Sequence, residues 1–314
     1  MTMPQVTLGI DVSGKRLDAH AHPAGRARSF ANDPTGIAAL TAWALECGAF
    51  VVLEATAPWD QPLLRALEDA GSAFHRANPK RARDFARALG LLAKTDAVDA
   101  RMLALYGASL PLRPTAPVAP ERLELQGLSA RRDQLVAMRK AERIRLKGVT
   151  DPVLIDSLKA VIAVFDDQVR QLDRRVAGTL DQAPDLAQDA AIVRSANGVG
   201  PVCATVLLAC LPELGQVDRR AIAALAGLAP VARDSGLMRG QRHVQGGRKR
   251  VRDALYMASL AAIRSGRWKQ AYNHLRTTLG KTPKQAIVAV ARKLLVALNA
   301  AVRDRRPIDN TVTT

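Results

Sequence analysis

The chain is poor in cysteine and in aromatic residues, and each shortage excludes a kind of site. Its three cysteines, Cys47, Cys203 and Cys210, form no CxxC pair and no Cys/His cluster, which argues against zinc. Reduced thiols in a cytoplasmic protein are therefore expected. Aromatic residues make up 4% of the 314 residues, so stacking on nucleic-acid bases is not expected to be a main means of binding.

Long hydrophobic runs are also missing. The N-terminus lacks a basic region followed by a long apolar stretch, as a signal peptide would have. The longest apolar stretch, Val202 to Leu211, is too short to cross a membrane. No membrane partner is expected.

Acidic residues are outnumbered by 46 basic ones to 29, and the excess lies at one end of the chain. Residues 1–115 carry 13 basic and 11 acidic side chains, and residues 116–190 carry 12 of each. Residues 191–314 carry 21 basic and 6 acidic side chains. This surplus points to a polyanion such as nucleic acid, with a solvated basic face as the alternative. Such binding should weaken with salt, because each neutralised phosphate releases counterions.

The first third of the chain shows the pattern of an α/β domain. Strands are predicted over 6–12, 17–22, 26–31, 50–53 and 73–76. Helices are predicted over 34–45, 62–70, 79–88 and 96–106, the last capped by Thr95. Three strands in a meander, followed by alternating helix and strand, fit a ribonuclease-H-like domain, which we assign to residues 1–109.

The rest of the chain is predicted to be helical. Four prolines between Leu110 and Pro120 indicate a linker, and long helices follow over about 121–147 and 152–180. Apolar residues of the second recur at intervals of 4, 3, 4, 4, 3 and 4, close to a heptad. Residues 110–185 are therefore interpreted as a linker and a helical or coiled-coil dimerisation arm, with a plain helix pair as the alternative.

Residues 186–314 are interpreted as a basic, mostly helical domain. Its turn NGVGP, residues 197–201, resembles a helix-hairpin-helix turn, whose glycines would let backbone amides approach a DNA phosphate. A plain turn between two helices is the alternative.

Carboxylates stand at the ends of two predicted strands and at the start of a predicted helix. Asp11 ends the first strand, Glu54 follows the fourth, and Asp96 and Asp99 share one helix face. In a ribonuclease-H-like domain these strands are neighbours and the helix packs over their ends, so the four carboxylates should converge. Mg²⁺ would relieve their repulsion, and two such ions can align the oxygens of a phosphodiester. An ordinary helix-start role for the two aspartates is the alternative.

The segment from Gly9 to Lys15 partly matches a P-loop, the phosphate-binding loop of ATPases, but the match is weak. Arg16 stands where a serine or threonine should hold magnesium, and Asp11 would place negative charge in a phosphate-binding loop.

A glycine-rich basic segment from Pro230 onward surrounds Ser235. Ser235 is a candidate nucleophile if a base removes its proton and arginines stabilise the phosphoryl charge, or it only caps a helix or binds a phosphate. His243 is the nearby candidate base, although the sequence does not place it against Ser235. Six cations are candidate nucleic-acid ligands: Arg233, Arg239, Arg242, Arg248, Lys249 and Arg250.

These segments together resemble the Piv-like DEDD transposases, insertion-sequence family one hundred and ten. The resemblance rests on the ordered segments GIDVSGKRLDA, VVLEAT, KTDAVDA, NGVGP, LAGLAPVARDSG and RGQRHVQGGR, and covers nearly the whole chain. Gly14 departs from the family, which often has lysine there. The resemblance implies a RuvC-like first domain, similar to a Holliday-junction resolvase, and Ser235 joined covalently to DNA during strand exchange. It also implies an acidic tetrad for Mg²⁺, with Mn²⁺ as an alternative: Asp11, Glu54, Asp96 and Asp99.

The same resemblance implies the partners. They are donor and target DNA, a bridge RNA encoded by the element that pairs with both, and further copies of the chain in a dimer or tetramer with sites built from two chains. A location at the prokaryotic nucleoid in the cytoplasm follows. A hydrolytic junction nuclease and a non-catalytic nucleic-acid-binding protein are the rival hypotheses.

Overall fold

The structure is a computed structural model that describes residues 6–90, 96–231, 234–235, 238–240 and 242–310. The side chains of residues 96–97, 234–235 and 238–239 lie outside this description, as does the cap predicted at Thr95. The chain divides into two compact units, Met1–Pro117 and Val118–Thr314.

The N-terminal unit is a five-stranded sheet with helices. Its strands are β1 (Thr7–Val12), β2 (Arg16–His22), β3 (Arg26–Ala31), β4 (Phe50–Glu54) and β5 (Phe74–Ala77). Its helices are α1 (Pro34–Glu46), α2 (Gln61–Asp69), α3 (Pro79–Ala88) and α4 (Asp96–Ser109). The strand order is β3-β2-β1-β4-β5; the first three strands are antiparallel, and β4 runs parallel to both β1 and β5. The strands and helices predicted for this unit are confirmed to within three residues.

The two faces of this sheet pack against different helices. Leu8 and Ile10 of β1 are fully buried in a cluster with Leu40 of α1 and Leu63 of α2. Val52 of β4 belongs instead to a cluster that includes residues of α3 and α4. Because side chains alternate along a strand, every second residue of β1 and β4 is directed at the α4 face.

Two helix starts in this unit, those of α1 and α3, follow local capping signals. The side chain of Asp33 accepts a hydrogen bond from the backbone N–H of Gly36, and Pro34 occupies the first helical position of α1. Asn78 caps α3 in the same way, by accepting from the N–H groups of Lys80 and Arg81.

The C-terminal unit is mostly helical. Its helices are α5 (Pro120–Leu146), α6 (Pro152–Asp181), α7 (Pro184–Arg194), α8 (Pro201–Cys210), α9 (Arg219–Leu225), α10 (Lys249–Ala262), α11 (Gly266–Thr277) and α12 (Pro283–Arg303). Two short antiparallel pairs lie between α9 and α10: β6 (Pro230–Val231) with β9 (His243–Val244), and β7 (Asp234–Ser235) with β8 (Met238–Arg239).

Helices α5 and α6 form an antiparallel hairpin held by ion pairs between the two helices. Arg175 Nε donates to Glu124 Oε1 at 2.8 Å near its base, and Arg132 Nε donates to Asp173 Oδ1 at 2.6 Å. The predicted apolar repeat is buried from the middle of α6 to the base of the arm: Val169 is 5% and Val176 8% exposed, whereas Leu154 near the tip is 55% exposed. Dimerisation through this arm stays a prediction.

Helix α12 corrects one expectation from the sequence. By length and composition it could cross a membrane, whereas the sequence analysis considered only the shorter stretch from Val202 to Leu211. Its residues Val290, Leu294 and Leu298 are fully buried in the core of the C-terminal unit. Packing inside the protein therefore accounts for its hydropathy.

Candidate active site

Two of the predicted carboxylates stand side by side at the carboxyl ends of β1 and β4. Ile10 pairs with Leu53 in the parallel ladder, so Asp11 and Glu54 occupy the next position on neighbouring strands. Such strands lie about 4.8 Å apart. Both residues are partly buried, and alternation directs both to the α4 face.

Helix α4 crosses this face at very short range because glycines make room. A Cβ atom on Gly9 would lie 2.1 Å from the carbonyl oxygen of Ala100 and 2.2 Å from the amide nitrogen of Ala104. A Cβ atom on Gly107 would lie 2.5 Å from Cγ2 of Thr7. Helix α4 therefore runs antiparallel to β1.

The direction of α4 determines which of its residues lie beside Asp11 along the strand axis. The step from Gly9 to Asp11 along β1 is about 6.6 Å, which equals roughly four residues of helix at 1.5 Å each. Moving that far toward the start of α4 from the Ala100–Ala104 stretch leads to residues 96–99. The backbone of Asp96 and the partly buried residue Asp99 therefore lie level with Asp11.

The metal-binding interpretation is not tested by this arrangement. Among the described side chains, which leave out Asp96, no group of three or more His, Cys, Asp or Glu residues is gathered closely enough to hold a metal ion. The donors at this end of the sheet are nevertheless carboxylate oxygens, the ligands that Mg²⁺ prefers.

Strand β2 adds a carboxylate that the sequence analysis missed. Asp18 is the ladder partner of Asp11, so the two residues face the same side of the sheet, and Asp18 is 8% exposed. Its oxygens accept hydrogen bonds from Arg16 Nε at 2.7 Å and from the Ser29 hydroxyl. Like charges on paired residues destabilise a sheet, and the Arg16 cation offsets that repulsion. The sequence signal that could have identified Asp18 is an acidic residue between two apolar residues, Leu17 and Ala19, which the structure shows to be buried.

A cleft of about 410 Å³ opens beside Asp18, between β2, β3 and α4. His20 and Arg101 are among the residues that line it. Burial, followed by the positive charge of Arg101, lowers the pKa of His20 below its ordinary value of 6.5. His20 is therefore mainly neutral at pH 7, and Arg28 and Arg101 are the cations among the residues that line this cleft.

Ser235 lies in the strand pair β7–β8, where its ladder partner is Met238. Its side chain falls outside the described residues, as do the side chain of Arg239 and all of Arg233. His243 pairs with Val231 in the other two-stranded sheet. The backbone thus places the candidate nucleophile and the candidate base in different sheets, and their roles stay predictions.

Three of the predicted nucleic-acid ligands are engaged with carboxylates. Arg248 Nη2 donates to Glu213 Oε1 at 2.7 Å, and Lys249 Nζ lies 2.5 Å from Asp253 Oδ2. Burial alone would raise the pKa of Glu213, but hydrogen bonding to Arg248 and its charge outweigh it and the net pKa is lowered. The carboxylate of Glu213 is therefore charged and neutralises Arg248.

Arg250 ties α10 to the base of the arm. Its Nη2 donates to Asp133 Oδ2 at 2.7 Å and to the Ser129 hydroxyl at 2.8 Å. Arg242 is exposed and has an interaction of its own. The side chains of Arg233 and Arg239 lie outside the described residues. Nucleic-acid binding by this set stays a prediction.

The NGVGP turn has a structural explanation for its first glycine. Gly198 has φ 89°, and a Cβ atom there would lie 2.4 Å from the carbonyl oxygen of Ala258 on α10. The side chain of Asn310 holds the same turn by accepting from the N–H of Asn197. Around Gly200, by contrast, no described atom lies within 4 Å of the Cβ position. Phosphate binding there stays a prediction.

Comparisons with known proteins cover both units. A model of the IS110-type DEDD transposase matches residues 8–154, and the model described as "Transposase IS116/IS110/IS902 family" matches residues 190–274.

Several curated proteins are similar to the chain. A pilin gene-inverting protein of Moraxella bovis is 28% identical over 330 aligned residues, and its counterpart in Moraxella lacunata is 27% identical; each alignment covers 99% of both chains. An uncharacterised 44.8 kDa protein of insertion element IS116 from Streptomyces clavuligerus is 32% identical over 180 residues, 54% of this chain and 44% of the other.

Proposed function

This chain belongs to the DEDD transposases of the IS116/IS110/IS902 family, and on that premise we propose that it cuts and rejoins DNA through a metal-bound acidic site and a covalent link to Ser235. As a member of that family it is a DNA transposase or recombinase. Two relatives that align with it over 99% of both chains are named for inverting a pilin gene. Inverting a gene requires strands to be both cut and rejoined, which supports recombination over cleavage alone.

The observation that carries the proposal is the placement of Asp11 and Glu54 on adjacent strands, with the start of α4 at the same level. The strand order β3-β2-β1-β4-β5, with its antiparallel and parallel halves, supports a ribonuclease-H-like or RuvC-like domain. In such a domain, carboxylates at this edge act on a phosphodiester.

Magnesium is the proposed cofactor, with manganese as a substitute. Bound there, the ion would polarise the phosphoryl group and offset the negative charge that develops on it. The proposed ligands are Asp11, Glu54, Asp96 and Asp99. Asp18 is engaged by Arg16 and Ser29, so its role would be to support the shape of the site.

Ser235 is the proposed nucleophile. Its hydroxyl oxygen would form a bond to phosphorus as the bond to one DNA oxygen breaks, and the serine proton would pass to a base. The reverse attack by a DNA hydroxyl would reform the phosphodiester and release the serine. Rejoining then needs no outside energy source, because the phosphoserine bond conserves the reactive phosphoryl group.

The proposed partners are donor and target DNA, a guide RNA and further copies of the chain. Charge supports the nucleic acids: residues 254–303 contain nine basic residues and no acidic residue. The exposed lysines of α11 and α12 have no carboxylate partner within the described part of the chain: Lys269, Lys284 and Lys293. Exposed apolar residues near the tip of the arm support self-association: Val153 at 77% and Val164 at 60%.

A trapping assay tests the proposal. The full chain would be incubated with the element's RNA, labelled donor and target DNA and Mg²⁺, and then denatured. We expect a protein–DNA adduct that is lost in Ser235→Ala and Asp11→Asn and on removal of Mg²⁺ by chelation. Two exposed residues of the N-terminal unit give matched controls, Ser109→Ala and Asp69→Asn, which should form the adduct normally.

The rival functions predict other outcomes. DNA cleavage without an adduct, unchanged in Ser235→Ala, would indicate a hydrolytic nuclease. Binding without cleavage, independent of Mg²⁺, would indicate a non-catalytic nucleic-acid-binding protein.

A further inference from the structure

One of the three tryptophans differs from the others in its surroundings. Trp43 and Trp268 are 2% and 3% exposed, whereas Trp59 is 51% exposed. Trp59 lies in the loop that follows β4, five residues after Glu54. A large aromatic side chain is thus left in water beside the proposed active site.

Hydrogen bonds within the loop and from Asn32 hold the backbone of Trp59 in place. The N–H of Trp59 donates to the carbonyl oxygen of Thr56 at 3.0 Å. The side-chain amide of Asn32 donates to the carbonyl oxygens of Trp59 at 3.1 Å and of Ser13 at 2.7 Å. One asparagine therefore ties the loop after β4 to the turn after β1, and these two segments follow Glu54 and Asp11.

The next residue anchors the loop from below. Asp60 is 0% exposed, and its Oδ2 accepts from Arg76 Nε at 2.7 Å and from the N–H of Thr56 at 3.2 Å. With its backbone held at three points, the loop presents Trp59 without first having to order itself. A ligand that binds the indole then loses little conformational entropy on the protein side.

The indole ring lies over Gly14. A Cβ atom on Gly14 would lie 3.4–3.5 Å from three ring atoms of Trp59, Cε2, Cδ2 and Cζ2. Nearly equal distances to three consecutive ring atoms place Gly14 over the face of the ring. One face is therefore directed at the β1–β2 turn, which leaves the opposite face of this half-exposed residue as the side for a ligand. A Cβ atom at position 14 would make an ordinary van der Waals contact with the ring.

This position is within reach of the proposed reaction. Gly14 is three residues beyond Asp11, which limits the separation of their Cα atoms to about 10 Å. A strand whose phosphate meets Asp11 and Glu54 would bring neighbouring bases to the level of Trp59. Strands must be opened for exchange, and an opened strand exposes the flat faces of its bases.

We propose that the indole of Trp59 is a stacking platform for one unpaired nucleobase next to the scissile phosphate. The inference rests on the proposed action on DNA, but not on the serine chemistry. Stacking on an aromatic face suits every base, so the platform would position the strand without reading its sequence. The low aromatic content had argued against stacking as a main means of binding; one rigidly held ring at the site is enough for one base.

Tryptophan fluorescence gives a direct test. The full chain would be titrated with a twelve-nucleotide oligo(dT) and with an abasic oligomer of the same length, which keeps the phosphates and removes the bases. We expect quenching by oligo(dT) and not by the abasic probe, and loss of that quenching in Trp59→Phe. Trp43 and Trp268 are buried and should contribute a constant background.

Affinity measured by anisotropy separates stacking from support of the loop. Trp59→Ala should weaken oligo(dT) binding roughly 5- to 150-fold and leave abasic binding unchanged, because a stacked base contributes that range. Trp59→Phe should recover most of the loss. The matched control, Leu45→Ala, removes an equally exposed apolar side chain on α1 and should change neither affinity.

Three results would overturn the inference: an equal loss for both probes, no quenching, or a change of oligomeric state in Trp59→Ala, which would make the indole a contact between copies. Binding and quenching need no cleavage. Failure of adduct formation in the wild-type chain would therefore count against the proposed function and leave the stacking platform standing.

Discussion

Replacing Gly9 by alanine should push α4 away from the sheet and weaken the active site. The added Cβ atom would lie 2.1 Å from the carbonyl oxygen of Ala100 and 2.2 Å from the amide nitrogen of Ala104. Both are backbone atoms of a helix, which cannot rotate aside. Recovering an ordinary contact requires a displacement of about 1 Å. Overpacking of this kind costs about 1–3 kcal/mol, and misplacing catalytic groups by 1 Å costs about 100-fold in rate.

Urea unfolding and the rate of adduct formation would measure the two effects of Gly9→Ala separately. The matched control is Gly127→Ala on α5, where no described atom lies within 4 Å of the Cβ position. Alanine should stabilise that helix by up to about 1 kcal/mol and leave the rate unchanged. A Gly9→Ala protein with wild-type stability and rate would refute the close packing of α4 on β1, and with it the level assigned to Asp96 and Asp99.

Three further predictions concern the C-terminal unit. Asp133→Ala removes the carboxylate partner of Arg250 and should lower the free energy of unfolding by about 1 kcal/mol. The affinity for oligo(dT) should be retained or raised, because Arg250 is released from its ion pair. A loss of affinity would contradict this prediction. Replacing the three lysines at positions 269, 284 and 293 by glutamine should reduce the salt dependence of nucleic-acid binding, measured as the slope of log K for binding against log salt concentration, by about 2–3. The control, the same replacement at positions 140, 147 and 159 on the arm, should reduce that slope by less than about 1. Cys203, whose pKa burial raises to about 12, should react with iodoacetamide at pH 8 far more slowly than Cys47, and rapid labelling detected by mass spectrometry would refute its burial.

The helical arm and the last helices use their charges differently. On α5 and α6, Arg132 and Arg175 meet carboxylates of the opposite helix, so the hairpin neutralises itself. No carboxylate occurs between Asp253 and Asp304 in the sequence, so α11 and α12 have no such partners of their own. Residues 254–303, which include α11 and α12, therefore carry +9 of the net charge of +17.

Local patterns in the sequence were sufficient to predict the strands and helices of the N-terminal unit and the two helices of the arm, and they placed Asp11 and Glu54 at strand ends. Strand β4 reads as a short apolar run because a central parallel strand is buried on both faces. Asp11 and Glu54 stood out because a carboxylate at the end of such a run is costly without a partner or a role. Periods of two and of about 3.6 residues are properties of single segments, so they can be read without knowing what each segment packs against.

The register and the distant contacts were decided only by the tertiary structure. That Asp18 pairs with Asp11 depends on how the β1–β2 turn sets the ladder, and a shift by one residue would have turned Asp18 to the opposite face. The bond from Asn32 to Trp59 joins residues 27 apart, and Arg250 meets Asp133 over 117 residues. Such pairs form when separate elements come together to bury their apolar faces. Local propensity therefore determined which segments form helices and strands, and packing between them decided which charged and aromatic side chains came together.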